Sequence, residues 1–359
     1  MEDQVDYFAL GVAEELDLCF DNDGEEYGFR LGIDGVFVLA GCLGHELAVF
    51  VGDNQVEVGC ERVGAGVFSQ DFGIDEDHLP DNGLVVGPSV LQGDGAHDLV
   101  AQRAAATFKP VSLEMGGKNA MIVMDDANLE LALEGALWGA FGTTGQRCTA
   151  TSRILLHKDI AAEFTSKLVA RAAALKVGNG LDPTVEVGPQ VNAQQISTST
   201  EYVAIAIAEG AKVLTGGVAL TDGPYANGTF FAPTVLGSVT PSMRIAREEV
   251  FGPVVSLIEF SSFAEAIEIA NSVDYGLSTA LYTKDVNRAF TAMRDLEAGI
   301  TYINAPTIGA EVHLPFGGVK KTGNGHREGL GSLDFYTTWK AVYIDSSDKL
   351  QRAQIDNAE

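Results

Sequence analysis

The run Asn119-Ala120-Met121-Ile122-Val123-Met124, with Asp125 and Asp126 behind it and Leu129 to Phe141 beyond, decides the fold class. The first six residues read as a buried strand, because an apolar stretch of that length without turn formers suits a strand covered on both faces. In the segment that follows, Leu129, Ala132, Leu133, Ala136, Leu137, Ala140 and Phe141 recur at helical spacing and fall on one face. Asp125 and Asp126 are expected to supply the N-cap, with acid at the positive end of the helix. The same alternation recurs along the chain. Ser152–His157 reads as a strand and Ile160–Lys176 as an amphipathic helix. Val254–Phe260 is followed by Phe263–Ser272, Leu277–Thr283 by Val286–Glu297, and Gly299–Asn304 closes the series. Strand and helix in turn, with short linkers, predict an α/β domain built on an open sheet with flanking helices.

Upstream of about Leu99 the texture is different. Residues 1–100 hold 22 Asp and Glu against Arg30 and Arg62, a net charge of −20 out of −27 for the chain. The same hundred residues contain no Lys and no Thr, yet carry Cys19, Cys42 and Cys60. Gly35–Ala40 and Leu47–Val51 are apolar runs that suit strands, but no capped helix and no repeat stands out. Two readings stay open: an acidic accessory domain, or a stretch read in a frame other than the one that encodes the remainder.

Composition bounds the function classes. The apolar share is 46% and the charged share 20% in 359 residues, which fits a globular protein with room for two domains. No apolar run reaches the length of a membrane span and no basic n-region precedes an apolar core, so neither a transmembrane helix nor a signal peptide is expected. The strongly acidic balance argues against nucleic acid or an anionic membrane as partner. Four cysteines without CxxC or Cys/His spacing predict no metal site and no disulfide framework, and point to a reducing, cytoplasmic setting.

The chemistry is concentrated in Phe141-Gly142-Thr143-Thr144-Gly145-Gln146-Arg147-Cys148-Thr149-Ala150. Cys148 follows a helix in a Gly- and Thr-rich turn, where a thiol can be reached and where amides can face an oxyanion. A cysteine in a loop is more often a small buried hydrophobe, so the surroundings have to carry the assignment. Upstream lies Leu113-Glu114-Met115-Gly116-Gly117-Lys118-Asn119-Ala120. In this order and at this separation, the two segments resemble the active-site signatures of the aldehyde dehydrogenase superfamily. Arg247-Glu248-Glu249-Val250-Phe251-Gly252-Pro253-Val254 resembles that family's E-x-F-G-P motif, and Leu314-Pro315-Phe316-Gly317-Gly318-Val319-Lys320 its P-F-G-G-x-K motif. Thr322-Gly323-Asn324-Gly325-His326-Arg327-Glu328 is similar to the glycine turn before its C-terminal tail.

The resemblance covers about residues 100 to 350 and implies the following. Cys148 is the nucleophile and Glu114 the general base. Glu249 holds the nicotinamide ribose of NAD or NADP, and Phe251 packs beside the nicotinamide. Asn304 and Phe316 belong to the substrate pocket. A small-molecule aldehyde is oxidised to a carboxylic acid through a thiohemiacetal and a thioester on the cysteine. Residues 101–115 correspond to the end of a dinucleotide-binding domain, 116–320 to the catalytic domain, and 321–359 to a C-terminal tail that serves in oligomerisation or returns to the fold. A homo-oligomer is expected if the fold is complete. The segment Ala305–His313 looks like that of members acting on semialdehydes that bear a carboxylate. The dinucleotide-binding domain itself is missing or replaced: residues 1–100 contain neither a P-W-N-x-P segment nor a G-x-T-x-x-G turn. The alternative to an active dehydrogenase is therefore a truncated, inactive relative, or a non-catalytic partner of full-length subunits. Cofactor-free esterase chemistry from Cys148 and Glu114 is a third outcome.

Overall fold

The computed structural model describes four strands before residue 62, as backbone only, and residues 96–326, 328–344, 346 and 348. The chain divides into two compact units, Met1–Val90 and Leu91–Glu359. In the first, β1 (Glu15–Phe20), β2 (Glu26–Gly32), β3 (Glu46–Gly52) and β4 (Gln55–Glu61) form an antiparallel sheet in the order β1-β2-β4-β3. The expected strand Leu47–Val51 lies within β3, whereas Gly35–Ala40 lies outside the described residues.

The second unit opens with α1 (Ala96–Ala106), β5 (Leu113–Glu114), β6 (Ala120–Val123), α2 (Leu129–Phe141), β7 (Arg153–His157) and α3 (Lys158–Ala174). It continues with α4 (Ala193–Ala208), β8 (Lys212–Thr215), β9 (Ala219–Leu220), β10 (Phe230–Phe231), β11 (Thr234–Gly237), α5 (Arg244–Arg247) and β12 (Val254–Phe260). The last stretch holds α6 (Phe263–Asn271), β13 (Tyr275–Gly276), β14 (Ser278–Tyr282), α7 (Val286–Asp295), β15 (Ile300–Ile303), β16 (Val319–Lys320), β17 (Gly323–Asn324) and α8 (Gly331–Tyr336). Seven strands make the main sheet, in the order β15-β14-β6-β7-β12-β11-β8, and only the edge strand β8 runs antiparallel.

Alternate residues of each central strand feed two separate cores, as strand geometry requires. Ala120, Ile122, Leu155, Val254, Ile258 and Leu281 join residues of α4, α6 and α7 such as Val203, Ile269 and Ala292. Met121, Val123, Ile154, Leu156, Val255 and Tyr282 join Leu133 and Ala136 of α2 and Phe164 and Leu168 of α3 on the other face. Helices thus cover both faces, which explains why the strands read as unbroken apolar runs. The expected open α/β sheet is present. The cap of α2 differs from expectation: Asn128, not Asp125 or Asp126, accepts from the Leu131 amide at 3.3 Å. Asp126 instead accepts from Thr283 Oγ1 at 2.8 Å and from the Lys284 amide at 2.9 Å. Burial opposes its ionisation, but those hydrogen bonds and Arg288 outweigh it and hold the carboxyl below its usual range. Among the described residues no helix is long and apolar enough to cross a membrane.

Leu168 is fully buried between α3 and the sheet. Leu168→Ala should lower unfolding free energy by about 2–5 kcal/mol. The Tyr282 hydroxyl is buried without a hydrogen-bond partner, so Tyr282→Phe should leave stability unchanged or slightly raised. Urea denaturation of the two variants beside the parent chain checks both; equal losses would contradict the packing described.

Candidate active site

Four loops meet at the amino ends of β6, β7, β12 and β14. Glu114 lies in β5, whose partner is β17 with Gly323 opposite Glu114. Thr322 fastens the same segment: its carbonyl accepts from the Met115 amide at 2.7 Å, and its Oγ1 donates to the Gly116 carbonyl at 2.9 Å. The Thr322–Asn324 motif, which in the sequence reads only as a turn, therefore supports the strand that carries the expected base.

Cys148 comes from the turn after α2. Thr143, Thr144 and Gly145 all have positive φ, at 52°, 60° and 68°. Gly145 is required there, because a Cβ would sit 2.2 Å from the Gly252 carbonyl oxygen. The turn delivers Cys148 partly exposed, with its Sγ donating to Glu114 Oε1 at 3.5 Å. The expected nucleophile and base are thus brought together. Asn119, next along from Lys118, holds the loop: its Nδ2 donates to the Cys148 carbonyl at 2.7 Å and to the Ala150 carbonyl at 2.9 Å.

Glu249 and Phe251 lie in the turn before β12. With Gly117, Gly145, Arg147 and Gly252 they line a narrow cleft. Glu249 Oε1 accepts from the Gly117 amide at 3.0 Å. Burial pushes its carboxyl up to about 7, although the Gly117 amide and Lys118 pull the other way. Lys118 is 2% exposed, and burial together with the Arg153 charge lowers its ammonium to about 7. Arg153 is equally buried and has carbonyls for partners, donating to those of Lys118, Ile269 and Ala270 at 3.0, 2.9 and 2.9 Å. The last two acceptors end α6, so a cation sits at the negative pole of that helix.

Of the expected site residues only Glu249 and Phe251 line the cleft; Cys148, Glu114, Asn304 and Phe316 do not. The Asn304 side chain is committed to the Thr283 peptide, accepting from its amide and donating to its carbonyl, each at 3.0 Å. Phe316 is buried at 6% exposure. Among the described residues no cluster of His, Cys, Asp or Glu is arranged to hold a metal ion.

The sequence profile of the aldehyde dehydrogenase family matches residues 93–342. The chain belongs to the aldehyde dehydrogenase family. It is 43% identical over 291 residues to the alpha-ketoglutarate semialdehyde dehydrogenase of Haloferax volcanii, covering 75% of this chain and 60% of the relative. With the alpha-ketoglutaric semialdehyde dehydrogenase of Bacillus subtilis it shares 39% over 274 residues, 73% of this chain and 56% of that one. The crystal structure of betaine aldehyde dehydrogenase from Staphylococcus aureus in complex with NAD+ superposes with a TM-score of 0.66 at 37% identity. It covers 68% of this chain and 48% of the solved one. The chain therefore spans little more than half the length of the curated relatives it matches.

The raised carboxyl of Glu249 has a thermodynamic consequence. Between the ordinary carboxylate value of 4.5 and about 7 the folded chain retains a proton that the unfolded chain releases, so stability falls as pH rises through that window. Glu249→Gln removes this loss. Its stability relative to the parent should grow by roughly 2–3 kcal/mol between pH 4.5 and 7. Denaturant midpoints at several pH values read this out; a difference independent of pH would show that Glu249 titrates normally.

Proposed function

We propose that the chain carries the catalytic half of an NAD(P)+-dependent aldehyde dehydrogenase, with Cys148 as nucleophile and Glu114 as general base. The observation that supports this most is the 3.5 Å contact between Cys148 Sγ and Glu114 Oε1 in a loop cluster beside a cleft. The thiolate of Cys148 attacks the aldehyde carbon; a C–S bond forms, and the carbonyl electron pair moves to oxygen, where the Cys148 amide stabilises it. Glu249 and Phe251 are the residues that would hold one end of a dinucleotide: the Glu249 carboxyl could bind a ribose diol and the Phe251 ring could flank a nicotinamide. When bound, that group supplies the hydride acceptor. Glu114 then takes a proton from water, which attacks the thioester carbon and releases the Cys148 thiolate and a carboxylic acid. The adenosine half of a dinucleotide finds no matching motif in residues 1–100, so either dinucleotide should bind this chain weakly. By the resemblance of their motifs, Asn304 and Phe316 belong to the substrate side.

The substrate we propose is a semialdehyde bearing a carboxylate. Ala305–His313 resembles members of that kind, and two relatives are named for such an activity. A second copy of the chain is the proposed partner. Val286, Phe290 and Met293 lie along one face of α7 and are 62, 66 and 60% exposed. Such a stripe suits a helix-to-helix contact. The reducing, cytoplasmic setting stays part of this reading.

With p-nitrophenyl acetate, which needs no dinucleotide, the chain should show ester hydrolysis that Cys148→Ala abolishes and Glu114→Gln slows by about 10²-fold. Hydrolysis that survives Cys148→Ala would refute the nucleophile. With NAD+ or NADP+ at millimolar concentration, a carboxylate-bearing semialdehyde should be oxidised faster than betaine aldehyde; the reverse order would remove the substrate proposal. Calorimetry should show no micromolar binding of either dinucleotide, and finding it would place a cofactor site in residues 1–100. Light scattering should report a dimer or larger species that Phe290→Glu dissociates. A monomeric parent chain would rule the partner out.

A further inference from the structure

We propose that Asn119 is the positioning residue that fixes the Cys148 thiol at its working distance from Glu114. This rests on the reading of Cys148 and Glu114 as nucleophile and base. Asn119 is 2% exposed, and its side chain uses both amide hydrogens and its oxygen. Its Nδ2 donates to the Cys148 and Ala150 carbonyls at 2.7 and 2.9 Å, and its Oδ1 accepts from the Ser278 amide at 3.1 Å. Its own carbonyl accepts from the Ser152 and Arg153 amides at 3.3 and 3.1 Å. One residue therefore ties the first rungs of β6, β7 and β14 to the nucleophile loop. The tie acts on the Cys148 peptide itself, so the Cys148 Cβ is held from behind. Five residues earlier the same segment carries Glu114, anchored through Thr322. The distance between thiol and carboxylate is thus set within one short stretch of chain rather than across two domains. Another side chain here would lose the fork of two donors and one acceptor that the three carbonyl and amide partners demand.

The test uses Asn119→Asp, which keeps the shape and the acceptor but loses the donor, and Asn119→Ala, in the full chain. The first readout is hydrogen exchange of the peptide spanning Arg147–Arg153, which should accelerate by about tenfold or more in both variants. The second is a double-mutant cycle on the rate of Cys148 alkylation by iodoacetamide at neutral pH. In the parent, Glu114→Gln should alter that rate by about tenfold, and in either Asn119 variant by less than about threefold. Leu168→Ala, which loses stability without touching the loop, should leave the Glu114 effect intact. If Glu114→Gln acts equally in all backgrounds, or if Leu168→Ala also erases its effect, Asn119 is a structural residue only. If Glu114→Gln is inert in the parent, the base assignment itself fails, and that outcome is distinct from failure of the clamp. Unchanged exchange would overturn the clamp whatever the rates show.

Discussion

A Cβ at position 117 would lie 2.6 Å from the Cys148 carbonyl oxygen, closer than a side-chain carbon can approach, so only glycine lets the two loops meet. On its other side the Gly117 amide donates to Glu249. This single peptide is therefore clasped between the Cys148 loop and the Glu249 carboxyl. Every other contact at the site elaborates that approach. Asn119 closes it from just before β6, Thr322 holds the strand that carries Glu114 against it, and Gly145 lets the turn after α2 pass under the Gly252 carbonyl.

The placement of the site in the sheet follows from the same constraint. In open α/β sheets ligands usually sit beyond the carboxyl ends of the strands, near a topological switch point. Here Gly116–Asn119, Cys148–Ser152, Glu249–Pro253 and Ser278 all lie at strand amino ends, although β6, flanked by β14 and β7, does mark where the strand order reverses. At that edge the first residues of the strands have amides and carbonyls not yet taken up by the ladder. Asn119 and Thr307 fill this role with side chains: Thr307 Oγ1 donates to the Thr149 carbonyl at 2.7 Å, and Ser278 Oγ donates to the Thr307 carbonyl at 2.6 Å. Buried charge completes the arrangement. Lys118 and Arg153 lie behind the loops, and Arg153 is held by helix-end carbonyls rather than by a carboxylate.

Most of the sheet was legible because the central strands are buried on both faces and so appear as short apolar runs. Val254–Phe260 matches β12 residue for residue, and Ser152–His157 and Leu277–Thr283 contain β7 and β14. The region between α3 and β12 was not legible. The helix α4 is rich in Ser and Thr, which are weak helix formers; there the Ser197, Thr198 and Thr200 hydroxyls bond carbonyls one turn back, and tertiary packing of Val203 and Ala206 carries it. The edge strand β8 is half-exposed, so it lacks the apolar run that marked the others. The cap of α2 was misplaced because two acids at a helix start look like a cap, whereas their partners, Thr283, Lys284 and Arg288, lie more than 150 residues downstream. At the site, Cys148 and Glu114 stood out as motifs. Asn119 and Thr322 did not, since their role consists of partners that only the fold brings within reach.

The strain at the site is placed where it constrains the thiol. Thr143 and Thr144 are β-branched residues in the left-handed region, and Phe251 across the cleft has a φ of 56°. Such conformations cost on the order of 1–3 kcal/mol each and persist only where the surroundings enforce them. The surroundings are identifiable. Thr144 is 3% exposed, with its hydroxyl 3.3 Å from the Gly188 and Pro189 carbonyls. Gln195 Nε2, from the first turn of α4, donates to the Val250 carbonyl at 2.7 Å and holds the turn that bears Phe251. The segment that sequence patterning left unread is thus what keeps both strained turns in place. A helix of indifferent propensity on one face of the sheet and a glycine-rich strand edge together confine the geometry on which the chemistry of Cys148 would depend.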